Sequence, residues 1–239
     1  MSTGSELDRL LKETSPFMIT RDFRGIVFSD LHLGVKDPAD DFAKNETVFN
    51  RAYDYYADRD YKPFFLGDVV DLWENKKFDD IQAAYPSVFR RIRSRRWIKG
   101  NHDQQLDEPE AIVLQYETGE KILMVHGHQG DFFNSTAYPL SKFFVRYVWR
   151  NLQYLGFKDP TTASPRNPKK HEATKKKIKE WAFDRKQIVI FGHTHAPEVE
   201  PPYYFNCGSW VGEGGQGIEI CGNLITLRKF SGDNPKERG

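Results

Sequence analysis

The feature that most constrains this chain is a repeated pairing of a short apolar run with histidine, aspartate or asparagine just beyond it. The runs Gly25–Phe28, Pro63–Leu66, Arg96–Ile98, Ile122–Val125 and Ile188–Phe191 are rich in β-branched and aromatic residues and read as buried strands. The first leads into Ser29-Asp30-Leu31-His32, the second into Gly67-Asp68-Val69-Val70-Asp71 and the third into Gly100-Asn101-His102-Asp103. The fourth is followed by His126-Gly127-His128 and the fifth by Gly192-His193-Thr194-His195. Helix-like stretches, notably Phe42–Ala57 and Ile81–Ile92, lie between the runs, so the pattern predicts an α/β layered domain. In α/β sheets, sites form outside the carboxyl ends of strands, and these five segments can therefore meet in one place. Of the 7 histidines only His171 lies elsewhere, which a random scatter would not produce.

The sheet system is expected to be mixed. Ile112–Tyr116, the turn-like ETGE and KILMV read as a hairpin, and GIEIC, Gly222-Asn223 and LITLRKF as a second. Residues 131–186 differ: they are helix-like, with a Pro-rich break at DPTTASPRNPKK and a lysine-dense stretch after it. They read as a helical insertion or lid within a single domain spanning 1–239. In KKHEATKKKIKE the lysines suit a solvated helix face, and Ile178, Trp181 and Ala182 give it a docking side. Upstream, Leu140, Phe144, Val148, Leu152 and Leu155 recur at helical spacing beside a row of Lys142, Arg146 and Arg150. Residues 139–157 thus fit either a core-packed helix with a basic edge or a peripheral membrane contact.

Composition narrows the class. With 38% hydrophobic and 29% charged residues, the 239-residue chain has an ordinary soluble make-up. A net charge of +1 gives no strong nucleic-acid signal. The segment MSTGSELDRLLKETSP has no signal-peptide core, and the expected location is cytoplasmic, with 139–157 allowing a peripheral position at the inner membrane face. Cys207 and Cys221 are too few for a disulfide framework and read as packing residues.

Imidazole mixed with carboxylate suits Zn, Mn or Fe, whereas an all-oxygen set would suit Mg or Ca. A carboxylate such as Asp68 can bridge two cations, and two ions about 3.5 to 4 Å apart clamp the attacking and leaving oxygens of phosphoryl transfer. Glycines before Asp68, Asn101 and His193 let the backbone turn sharply and approach the ions.

DLH, GDVVD, GNHD, VHGH and GHTH, in that order over roughly Ile26 to Trp210, resemble the calcineurin-like metallophosphoesterase superfamily. The resemblance implies two mixed β-sheets packed face to face with flanking helices, a four-layer αββα sandwich. It implies two divalent transition-metal ions, with manganese favoured, and cleavage of a phosphoester or pyrophosphate bond by a hydroxide between them. By resemblance Asp30, His32 and His195 bind one metal, Asn101, His126 and His193 the second, and Asp68 bridges. His102 is then the group that stabilises the transition state or protonates the leaving oxygen, oriented by Asp103, while Asp71 supports the site. The family pattern selects His126 over His128, whose role stays open between facing the substrate and lying on the surface. NCGSWV, Asn206–Val211, resembles a family segment that lines the site's rim.

The early SDLHLG, the insertion and the chain length are also similar to the UDP-2,3-diacylglucosamine pyrophosphatase branch, with one departure, His102 in GNHD where that branch has Arg. The expected substrate is a phosphorylated small molecule or a nucleotide- or lipid-linked phosphate. The alternatives are a protein Ser/Thr phosphatase, a cyclic-nucleotide or nucleic-acid phosphodiesterase, and a non-catalytic scaffold. Scaffolds of this fold tend to lose ligands, and here every position is filled.

Overall fold

In the computed structural model, which describes residues 2–92, 96–130 and 168–232, the predicted strands form two sheets. The first sheet contains β2 (Arg24–Phe28), β3 (Lys62–Leu66), β4 (Arg96–Ile98), β10 (Gly215–Cys221) and β11 (Leu224–Phe230), in the order β11-β10-β2-β3-β4. The second contains β1 (Pro16–Ile19), β5 (Ala111–Tyr116), β6 (Lys121–Val125), β7 (Ile188–Phe191), β8 (Glu198–Glu200) and β9 (Tyr204–Asn206), in the order β1-β5-β6-β7-β9-β8. Both are mixed. β2, β3 and β4 run parallel, as do β6, β7 and β9, whereas β5 pairs antiparallel with β6 and β10 antiparallel with both β2 and β11.

Alternation along the central strands builds the layers, because neighbouring side chains point to opposite faces. On β2 and β3, Val27, Phe64 and Leu66 face Leu114, Ile122, Met124, Ile190 and Phe205 of the other sheet and form the inter-sheet core. Their neighbours Ile26, Phe28 and Phe65 face outward onto α2 (Glu46–Ala57), α3 (Phe78–Ala84) and α4 (Pro86–Arg91) through Phe49, Ile81 and Val88. The second sheet does the same: Leu123, Val125, Val189 and Phe191 pack on Leu7 and Leu10 of α1 (Thr3–Glu13) and on Ile178, Trp181 and Ala182 of α5 (Pro168–Arg185). The result is the expected αββα sandwich, and both faces of the central strands are dry, which is why they read as continuous apolar runs.

Several local expectations change. Ile81–Ile92 is two helices, not one, because Pro86 starts α4 and pushes Tyr85 out of the helical region (φ −124°, ψ 53°). The lysine-dense segment, grouped above with the insertion, is a helix of the sandwich's outer layer: Lys176 and Lys177 are exposed, and Lys175 and Lys179 pair with Glu198 on β8. Cys207 is buried as expected, but Cys221 is exposed, since it ends β10 at the Gly222-Asn223 turn. The expectations for 131–167, including the basic row Lys142, Arg146 and Arg150 and the membrane contact through 139–157, lie outside the described residues. No helix among the described residues is long and apolar enough to cross a membrane.

Phe28 ties this core to the strand end that carries Asp30. Its ring meets Phe49 at 5.5 Å, Phe65 at 5.8 Å and Trp210 at 5.8 Å, with no exposure to solvent. We expect Phe28→Ala to lower stability by about 3–5 kcal/mol, read from the urea midpoint at an unchanged m-value.

Candidate metal centre

The loops after β2, β3, β4, β6 and β7 bring the predicted residues together. Asp30, His32, Asp68, Asn101, His126 and His193 are buried, while His195 and His102 keep part of their side chains open to solvent. The backbone must bend hard to do this. Asp30, His32, Asp68, His193 and His195 all adopt positive φ, between 48° and 66°, a region that side-chain-bearing residues seldom occupy. Two glycines make room for them. A Cβ on Gly67 would lie 2.6 Å from the Gly100 backbone and 2.8 Å from His126 Nδ1, and one on Gly192 would collide with Ser29 and the Asp30 carboxylate.

Most of these side chains are anchored at one atom and leave another facing the centre. His126 Nδ1–H donates to the Leu66 carbonyl at 2.7 Å, freeing Nε2. His32 Nδ1 lies 3.3 Å from Asp71 Oδ2, freeing its Nε2. Asp30 Oδ2 accepts from Ser29 Oγ at 2.6 Å and from the His193 N–H at 2.9 Å, and Asp68 Oδ1 accepts the His102 N–H at 2.7 Å. Such backing fixes ring orientation and tautomer in metal sites.

The inward atoms form two groups. In one, His32 Nε2 and His195 Nε2 are 3.2 Å apart, and Asp30 Oδ1 is 3.2 Å from His195 Nε2. Asp30 Oδ1 is buried yet makes no hydrogen bond. Donors bound at about 2.0–2.1 Å to one ion stand roughly 3.0–3.4 Å apart, so this spacing and the unused oxygen fit a cation. In the other group His126 Nε2 lies 3.1 Å from Asn101 Oδ1 and 3.2 Å from Asp68 Oδ2, with His193 close by. Asp68 Oδ2 is also 3.7 Å from His32 Nε2, so a single oxygen borders both groups.

Electrostatics agree with that reading. Burial opposes ionisation of Asp30, but the charge on His126 and the adjacent imidazoles of His195 and His32 outweigh it and hold the carboxyl well below its ordinary range. Asp68 is lowered likewise, burial being overcome by His126 and His102. Burial acts against protonation of His126, yet Asp68 and Asp30 push it up to about 9. The buried carboxylates thus favour positive charge at the centre.

The structure revises one assignment around His102. Asp103 does not orient it: its oxygens accept the N–H groups of Gly100 at 2.6 Å and Val69 at 2.9 Å, and burial with the nearby charge of Asp68 pushes it up to about 6. The carboxylate bonded to His102 is Asp71, whose Oδ2 lies 3.0 Å from His102 Nδ1 and also meets His32. Asp71 Oδ1 accepts the N–H groups of Trp73 and Glu74, so both of its oxygens are used within the protein. Other residues support the site, Asn206 and Trp210 from the NCGSWV segment and Trp73 from outside the sequence reading. Asn206 donates to Thr194 Oγ1 at 2.8 Å, the Trp210 N–H donates to the Asp30 carbonyl at 3.0 Å, and Trp73 stacks on His102. His171 on α5, given no role above, lies 5.9 Å from the ring of His193, and His128 lies 5.4 Å from His126. Only the partners' positions in the fold reveal these residues, apart from the NCGSWV segment.

An αββα sandwich with histidine and aspartate converging at strand ends provides groups that could hold metal ions. The profile of the calcineurin-like phosphoesterase superfamily domain matches residues 24–221, and the chain belongs to that superfamily. It is a phosphoester hydrolase of a family that uses divalent metals. Among solved structures the chain is similar to a cold-active protein-tyrosine phosphatase of the psychrophile Shewanella sp., at 12% identity and a TM-score of 0.43, covering 92% of this chain and 84% of that one. A further structure of a cold-active protein tyrosine phosphatase gives 12% identity and a TM-score of 0.42, covering 94% and 82%. No curated protein matches the chain.

Metal binding through His126 would have to displace the proton that Asp68 and Asp30 favour there. Because that proton leaves only as the pH approaches about 9, metal affinity should rise with pH from 6 towards 9 and binding near pH 7 should release protons. Calorimetric titration in buffers of different ionisation enthalpy measures this, and a pH-independent affinity would refute it.

Proposed function

We propose that the chain is a dinuclear metal-dependent phosphohydrolase that cleaves a phosphoester or pyrophosphate bond. Asp30, His32 and His195 would hold one ion, Asn101, His126 and His193 the other, and Asp68 would be shared. The observation that carries this is the position of Asp68 Oδ2, 3.2 Å from His126 Nε2 and 3.7 Å from His32 Nε2, at the border of two ligand groups. Divalent ions there supply positive charge against the phosphoryl oxygens and a water acidic enough to lose its proton near neutral pH; manganese is favoured among Mn, Fe and Zn.

The chain's own residues do the rest. Asp71 accepts from His102 Nδ1, which turns Nε2 towards the open side, where it exchanges a proton with the leaving oxygen. Of the residues proposed for the centre, His102 and His195 are the most open to solvent. The substrate is a phosphorylated small molecule, nucleotide-linked or lipid-linked, such as UDP-2,3-diacylglucosamine. That class is supported by the resemblance of SDLHLG and of the segment following the HGH motif.

Purified protein is expected to bind about two transition-metal ions per chain, and chelation should abolish hydrolysis of an aryl phosphate or bis-aryl phosphodiester. Activity retained in metal-free protein refutes the mechanism. Asp68→Ala should lose metal and rate together. His102→Ala should keep its metal and lose about 10²–10⁴-fold in rate. Metal analysis beside turnover separates the two, and equal metal loss in both would make His102 a ligand. A screen of monoesters, diesters, nucleotide sugars and acylated UDP-glucosamine on metal-loaded protein tests the substrate class.

A further inference from the structure

We propose that Trp73 is the positioning residue for His102, fixing the plane of the imidazole that exchanges the proton. The inference rests on the proton-transfer role given to His102 above.

A hydrogen bond alone does not orient a ring. The contact from His102 Nδ1 to Asp71 Oδ2 at 3.0 Å fixes one edge of the imidazole, but the plane can still pivot about that axis. The indole of Trp73 removes the pivot: it lies against His102 at 4.1 Å between centroids, with the planes within 15°. The same indole holds the backbone beneath the ring, since its Nε1–H donates to the carbonyl of Asn101 at 2.7 Å, the peptide that leads directly into His102. Trp73 is itself held. It is 6% exposed, and its N–H donates at 3.0 Å to Asp71 Oδ1, on the carboxylate whose Oδ2 meets His102. Ring plane, ring edge and supporting peptide are thus all referenced to one Asp71–Trp73 turn. A proton donor must sit within a fraction of an ångström of its productive place, and a misplacement of about 1 Å can cost 10²-fold. The indole itself touches the His102 ring and a backbone carbonyl, not a carboxylate or imidazole of the metal groups Asp30, His32, His195 or Asp68, His126, His193, so the predicted effect is on proton transfer and not on metal.

The test measures kcat and metal content of the metal-loaded full chain for Trp73→Leu and Trp73→Phe, each alone and combined with His102→Ala. The substrates are p-nitrophenyl phosphate or bis(p-nitrophenyl) phosphate, whichever is turned over faster, and the matching alkyl ester. Trp73→Leu should lower kcat by about 10- to 100-fold with metal per chain unchanged. The loss should be larger for the alkyl ester, whose poor leaving group needs the proton more. Trp73→Phe, which keeps an aromatic face, should fall between Leu and wild type. In the His102→Ala background both changes should have almost no further effect, because the group they position is gone. Equal losses with and without His102, or losses that track metal content, overturn the role of Trp73 alone. If His102→Ala itself retains full rate, the assignment of His102 fails and this inference with it. Should Trp73→Leu not fold, the cycle with Trp73→Phe decides.

Discussion

The structure depends on burying Asp30, Asp68 and Asp71, each at most 3% exposed, within one small volume. An isolated buried carboxylate is prohibitively costly, so such anions persist only when paired and hydrogen-bonded. Here the imidazoles of His32, His126 and His102, together with the N–H groups of His193, His102, Trp73 and Glu74, surround them. Each of Asp30 and Asp68 gives one oxygen to that internal support and keeps the other for the centre. The same requirement suits the candidate ligands to strand ends, where successive loops present both side chains and peptide N–H groups to the carboxylates.

That arrangement strains the backbone. Positive φ costs on the order of 1–3 kcal/mol per non-glycine residue, and five such residues occur among the candidate ligands. Their conformations are imposed by bonds between loops: Asp30 N–H to the Gly67 carbonyl, His32 N–H to that of Asp68 at 2.8 Å, Leu33 N–H to that of Val69 at 3.0 Å, and Gly192 N–H to that of His126 at 2.9 Å. The loops in turn leave strands whose both faces are packed, so the aromatic layer around Phe28, Phe49 and Trp210 bears on the site as well as on the core.

Strand positions and the site were legible because both rest on local pattern. Ile188–Phe191 is apolar throughout since it is covered by α5 on one face and the other sheet on its opposite face, and it ends where Gly192 leaves room for Ser29 and the Asp30 carboxylate. The missed elements are those that local pattern does not mark. β1 has a single buried residue, Ile19, and its existence depends on pairing with β5. The helix α1 holds its place through Leu7 and Leu10 against the second sheet, a contact with no trace in MSTGSELDRL itself. The assignment of Asp103 failed for a related reason. Adjacency in GNHD suggests that it serves His102, but the chain bends so that its oxygens cap Gly100 and Val69, while the partner of His102 comes from another loop, 31 residues earlier.

Asp71 links the two halves of the chemistry. Its Oδ2 meets Nδ1 of His32, whose other nitrogen faces the metal groups, and Nδ1 of His102, whose other nitrogen faces the open side. The two rings lie edge to face at 4.6 Å. Charge drawn from Asp71 by one ring is not available to the other, so the cation binding proposed for His32 and the proton transfer proposed for His102 would be coupled through a single oxygen. A change at Asp71 would therefore disturb both, and the two proposed functions would separate only further out: at His195 and Asn101 on the side of the metal groups, and at His102 and the indole stacked on it on the side of the proton.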